Sequence, residues 1–238
     1  MRHILVGMVL VAGLLAWVGT NREANGQTTT APAAAGKVDE STMGSLQGLR
    51  VNWASLIVSA DGSHMACSAQ KGAKWLVITD GKPGPEFDDI MKGFPCFSPD
   101  GKRVAYAALQ GSKWVMVVDD KAGPEFDNIS RSGAYFSPDG KRTAYLGQKG
   151  NKWVAVVDGK AGTEYDDISW GFPYFSPDSK RVAYPAQKAG KWLVVADDKA
   201  GPEYDSILRY SPAFRADGTL EYMAVKGESL LRVKSPPQ

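Results

Sequence analysis

Short runs of β-forming residues, bounded by turn residues, make up most of this chain, and the same order of runs returns every 39 residues. Within Val104-Ala105-Tyr106 large and small side chains alternate, as in a strand whose two faces meet different neighbours. Trp75, Trp114, Trp153 and Trp192 keep the 39-residue spacing, and so do Phe97, Phe136, Phe175 and Phe214, with Val58 one period earlier. The register therefore holds without insertion across five units. In the second unit the pattern predicts strands at Phe94 to Ser98, Arg103 to Leu109, Lys113 to Asp119 and Glu125 to Ile129. Asp100-Gly101 supplies the tight turn between the first two, and Gly111 serves the next.

Four strands per repeat of about 40 residues is propeller arithmetic. The expected fold is all-β: a five-bladed β-propeller of four-stranded antiparallel blades over residues 46–233. The last unit runs out after Arg232 and Val233 with its fourth strand missing, and counting back 39 residues from Pro85 to Ile90 lands on Leu46 to Val51. That segment is expected to close the ring as the outer strand of the fifth blade, removing an open sheet edge. Residues 234–238 are left as a tail.

The repeat carries SPDGK at Ser98 and Ser137, SPDSK at Ser176, and eroded forms at Ser59 and Arg215. From residue 50 to 233 it resembles the WD-repeat-like, TolB-type β-propeller repeats. That resemblance implies an extracytoplasmic protein-binding scaffold and supplies no catalytic residues. Proteins of that type carry an α/β domain ahead of the propeller, where this sequence has a short tether.

The amino terminus changes the picture of where the chain works. Arg2 and His3 precede an apolar stretch from Ile4 to Gly19, shorter than the ~20 residues of a membrane span. Ala24 and Gly26 stand three and one places before Gln27, so residues 1–26 read as a signal peptide and 27–45 as a flexible linker. A periplasmic or secreted location follows, with membrane contact only through that segment if it stays uncleaved. The net charge of +2 does not point to nucleic acid or to an anionic membrane. Beyond residue 26 the chain holds one histidine, His64, and two cysteines. This is little material for a metal site or a His-based triad, and no cofactor is implied. Cys67 is placed on the second strand of the first blade and Cys96 on the innermost strand of the second, across one seam; export permits a disulfide there.

Candidate chemistry is judged by whether it repeats. The acid pairs Glu86 with Asp88, Glu125 with Asp127, Glu164 with Asp166 and Glu203 with Asp205 occur in four equivalent copies, whereas an active site needs one asymmetric constellation. They are read as solvation and interblade pairing of outer strands, Asp100, Asp139 and Asp178 as turn caps, and the four tryptophans as packing. A non-enzymatic protein is expected. One loop column varies between blades, mixing cations with tryptophan: Trp53, Lys92, Arg131, Trp170 and Arg209. In a closed ring Trp170, Arg209 and Trp53 would form one arc, with a basic rim from Lys74, Lys113, Lys152 and Lys191. Trp and Arg dominate binding interfaces. The expected partner is a protein or peptide, and the second reading is a carbohydrate-binding, lectin-like propeller.

Overall fold

A computed structural model describes residues 40–91, 95–168, 173–209 and 211–236. Residues 42–238 form one compact unit. Each repeat becomes one antiparallel sheet, giving five sheets of four or five strand segments. In the second, Cys96–Phe97, Val104–Gln110, Lys113–Val118 and Lys121–Phe126 follow one another as hairpins. Among the described residues the only helical turn is Trp53–Ser55. This is the five-bladed β-propeller architecture that the repeat predicts.

The turns do what their residues suggest. Ser98 Oγ donates to Asp100 Oδ1 at 2.6 Å and accepts the Arg103 N–H at 3.0 Å, so the two polar side chains cap the hairpin locally. Gly101 takes φ +71°, and a Cβ there would stand 3.0 Å from Ser59 Cβ of the preceding blade.

One strand boundary differs from expectation. Glu125 to Ile129 is not a single outer strand: Lys121–Phe126 completes the second sheet, while Asn128–Ile129 pairs with Gln148 and Gly147 in the third. Asp127 makes the break. One of its carboxylate oxygens takes Lys113 Nζ of the second sheet, and the other takes the Gly150 N–H of the third at 2.7 Å.

Each seam between adjacent sheets is filled the same way. In the second seam Ala105, Met116 and Phe126 from one sheet meet Ile129, Tyr145, Val154 and Val156 from the next, with Trp114 at the margin. The outer-strand aromatic meets the next blade's tyrosine edge-on in all four seams, as with Phe126 and Tyr145 at 6.2 Å between centroids and 87° between planes. Trp75, Trp114, Trp153 and Trp192 pack against the first to fourth seams in turn, which is the packing role read from their repetition.

Polar latches cross the same seams. Arg142 Nε donates to Asp158 at 2.9 Å, its Nη1 donates to the Lys180 carbonyl in the next blade's turn, and its guanidinium lies 5.5 Å from the Phe175 ring centre. Arg103 and Arg181 repeat this, while His64 holds the matching place in the first blade, 2.7 Å from Asp80. Asp88, Asp127, Asp166 and Asp205 each bridge a lysine of one blade to a backbone N–H of the next. This is the interblade pairing expected of the repeated acids.

These four aspartates are held below the usual carboxylate range, Asp88 first by the Lys74 ammonium and Asp127 first by the Gly150 N–H. A carboxylate with a depressed folded pKa contributes stability above its unfolded value of about 3.9, and that contribution is lost as pH falls toward the folded value. The melting temperature is therefore expected to be level above about pH 5 and to fall below about pH 4. Asp127→Asn should flatten that acid limb in a melting series against pH. An unchanged limb would remove these aspartates from the account.

The two ends of the array differ from the expected closure. Arg50–Val51 pairs with Gln70 and Ala69 of the first sheet, and the fifth sheet consists of Ser206–Ile207, Ala213–Phe214, Leu220–Lys226 and Ser229–Ser235. The amino-terminal strand thus lies in the first blade and does not supply the fifth blade's outer strand. The fifth blade's outward face is also built for water. Glu221 replaces the buried alanine of the other blades, is 7% exposed, and pairs with Arg215 at 2.8 Å and Arg232 at 3.6 Å; Leu230, opposite Val225 on the same hairpin, is 68% exposed. None of the apolar clusters among the described residues joins the fifth sheet to the first. Cys67 and Cys96 are free thiols. Cys67 packs with Ala69, Leu76 and Ile78 on the outer side of the first sheet, whereas Cys96 donates to the Ala105 and Ala134 carbonyls in the second seam. The bridge considered from the sequence is not formed in this structure, because the two thiols serve different faces.

Candidate functional site

In the first, third and fifth blades the variable column falls within the innermost strand and interrupts it midway. In the first blade Val51 pairs with Ala69 and Ile57 with Ala66, both on the second strand, so Trp53 to Leu56 form an insert within one strand. The third blade repeats this between Ile129 and Tyr135, and the fifth between Ile207 and Ala213. Arg131 and Arg209 hold the positions equivalent to Trp53, and both are exposed. Lys92 and Trp170 lie outside the described residues.

Local hydrogen bonds fix the first insert. The Asn52 N–H donates to the Ser68 carbonyl at 2.9 Å, Ser55 Oγ donates to the Asn52 carbonyl at 2.6 Å, and Ser68 returns both its N–H and its hydroxyl to Ser55 Oγ. Ser55 is buried by this arrangement, while Trp53 is left 60% exposed. Leu56 and Val58 are exposed beside it in sequence. The exposed indole thus stands on a backbone tied down at both ends. In the third blade the insert is a tight turn, with the Gly133 N–H donating to the Ser130 carbonyl at 3.0 Å. In the fifth, Ser211 Oγ donates to the Leu208 carbonyl at 2.6 Å.

The lysines expected as a basic rim are engaged. Lys74 and Lys191 pair with Asp88 at 2.6 Å and Asp205 at 2.5 Å, and Lys113 and Lys152 pair with Asp127 and Asp166. Their charge is neutralised locally by these aspartates. The continuity of an arc from Trp170 through Arg209 to Trp53 rests on a junction between the fifth and first blades, which the described clusters do not supply. Among the described residues no group of three or more His, Cys, Asp or Glu could hold a metal ion, and no helix is long and apolar enough to cross a membrane.

No protein-family model matches the sequence, and no curated protein does. Solved structures do. TolB from Acinetobacter baumannii is 18% identical with a TM-score of 0.38, over 76% of this chain and 51% of that one. The chain thus spans about half the TolB chain. The β-propeller domain of the Trilobed protease from Pyrococcus furiosus, described as having an open velcro topology, is 13% identical with a TM-score of 0.43, over 79% of this chain and 69% of that one. The Dos1 propeller is 11% identical with a TM-score of 0.39, over 77% and 55% of the two chains. The solved structures to which this chain is similar are thus TolB and other β-propeller proteins.

Proposed function

We propose that this chain is an exported, non-enzymatic propeller that binds a protein or peptide through the inserts of its inner strands. The observation that carries the reading is the contrast between columns. The Trp, Tyr and Asp columns repeat because they hold seams together, whereas the insert column changes from Trp53 to Arg131 to Arg209 on exposed, locally braced backbone. Trp and Arg supply most of the energy at typical interfaces, and exposed arginines favour an acidic partner. Export rests on the apolar run from Ile4 to Gly19 and the small residues before Gln27. A lectin would present one equivalent sugar platform per blade, yet the tryptophan found in four blades is spent on seam packing.

The test is selection of displayed peptides on the exported protein, beside a glycan array. Acidic sequences should be enriched, and replacing Trp53 and Trp170 together by Ala should weaken their binding by at least about 30-fold, the loss of roughly 2 kcal/mol expected of a hot-spot tryptophan. The melting temperature should move by less than about 2 °C, as for exposed substitutions. Glycan binding without peptide enrichment would overturn the reading in favour of the lectin. A large loss of stability with peptide binding intact would make the tryptophans part of the scaffold.

A further inference from the structure

The four seams are built from one plan, and a single residue makes the second unlike its neighbours. Each seam places a glycine of one blade's outer strand against the next blade, with the tyrosine of that blade's second strand behind it. In the first seam the turn of the second blade supplies Asp120, whose carboxylate oxygen lies 2.6 Å from where a Cβ on Gly84 would stand. In the third seam Asp198 does the same at 3.3 Å from the corresponding point on Gly162, which is itself 3.7 Å from the Tyr184 hydroxyl. The chain's own carboxylate fills both clefts.

In the second seam the equivalent residue is Gly159. It has φ +76°, a Cβ on it would meet nothing within 4 Å, and no carboxylate reaches Gly123. What Gly123 faces instead is the Tyr145 hydroxyl, 3.0 Å from its Cβ position. Tyr145 is 2% exposed, and its hydroxyl has no hydrogen-bond partner. The hydroxyls of Tyr106 and Tyr184 also lack a direct partner, but their pKa values are pushed up by burial and then by Asp120 for Tyr106, and by burial, Tyr165 and then Asp198 for Tyr184. On Tyr145 burial acts alone. The result is a cleft of about 540 Å³ that includes Gly123, Tyr145 and Gly159, with Arg103, Lys121, Lys141 and Arg142 around it. Asp119 and Asp158 balance the two arginines and Asp139 stands 3.8 Å from Lys141, so the Lys121 ammonium leaves the cleft positive. Its volume suits a small ligand. The fourth seam also opens, but there the Tyr222 hydroxyl is engaged with Tyr204.

We infer that the seam between the second and third blades is a binding site for a small carboxylate, which enters the place that Asp120 and Asp198 fill in the neighbouring seams and, being untethered, comes within hydrogen-bond reach of Tyr145, as neither aspartate does with Tyr106 or Tyr184. A buried phenol without a partner costs free energy until an acceptor arrives, and the surplus lysine charge selects an anion. The site is separate from the insert column and does not depend on the function proposed for it.

The probes are acetate and succinate, with neutral succinamide as control, titrated to tens of millimolar into the isotopically labelled full-length protein while amide shifts are followed by NMR. Saturable shifts at Gly123, Tyr145 and Gly159 with the carboxylates, and none with succinamide, are expected. Gly159→Asp should fold, because Asp120 and Asp198 already adopt φ 62° at the equivalent positions, and should abolish the saturable shifts by filling the cleft from within. Tyr145→Phe should weaken binding at least severalfold. Asp120→Gly should open a second site, with new shifts at Gly84. Absence of saturation in the wild type, equal shifts with succinamide, or unchanged binding by Gly159→Asp would each overturn the assignment.

Discussion

Replacing Phe126 by Ala is expected to lower the melting temperature by about 6–20 °C, from the roughly 3–5 kcal/mol typical of a buried Phe→Ala change and ~2–4 °C per kcal/mol for a domain of this size. Phe126 is among the most deeply buried side chains in the chain, edge-on to Tyr145 and beneath the Lys149 ammonium at 5.5 Å. Truncation removes apolar contacts from both blades and leaves a cavity that rigid sheets cannot collapse. The neighbouring column sharpens the test. Gly147 stands where other blades have Ala69, Ala108 and Ala186, and a Cβ on it would lie 2.5 Å from the Phe126 ring. Gly147→Ala alone is therefore expected to destabilise by overpacking, while in the Phe126→Ala background the added methyl has room and should recover part of the loss. Additive effects of the two changes would show that ring and glycine are not in contact. Calorimetry of the four proteins decides it, with the exposed Glu125→Ala as a control expected within about 0.5 kcal/mol of the parent.

The seams were legible in the sequence because their residues recur at one spacing. Trp114, read as a packing residue from its column, lies against the seam between the second and third blades. Strand boundaries were less legible. Glu125 to Ile129 reads in sequence as one run, and only the bend at Asp127, paired with Lys113 on one side and Gly150 on the other, reveals that it changes sheets. The same ambiguity misplaced the amino-terminal strand. Pro85 to Ile90, the template for counting back, spans the isolated Phe87 bridge to Trp75 in the first sheet and the Asp89–Ile90 strand of the second. Its image, Leu46 to Val51, therefore ends at Arg50–Val51 in the first sheet's own inner strand. The insert column could be found as a variable column, but its place within a strand depends on which carbonyl of the second strand accepts each N–H. Gly159 carried a usable signal in the alignment of repeats, Asp-Asp-Lys against Asp-Gly-Lys, which gains meaning only once Asp120 is seen inside a seam.

A chain beginning at Trp53 is expected to melt several degrees below one beginning at Thr42, with the damage confined to the first sheet. The shorter chain lacks Leu49, which packs on Cys67, Ala69, Leu76 and Ile78, and the Arg50–Val51 pairing with Gln70 and Ala69. Burial of two aliphatic side chains at this depth contributes on the order of 2–4 kcal/mol, enough for such a shift. Location separates this account from ring closure through the fifth blade. If the segment belongs to the first sheet, amide exchange should accelerate along Met65–Lys71 while Leu220–Lys226 and Ser229–Ser235 stay as protected as before. The Cys67 thiol, buried under Leu49 and Val51 and pushed up in pKa by that burial, should become open to alkylation while Cys96 keeps its rate. Faster exchange along Ser229–Ser235 with Met65–Lys71 unchanged would instead return the amino-terminal strand to the edge of the fifth blade.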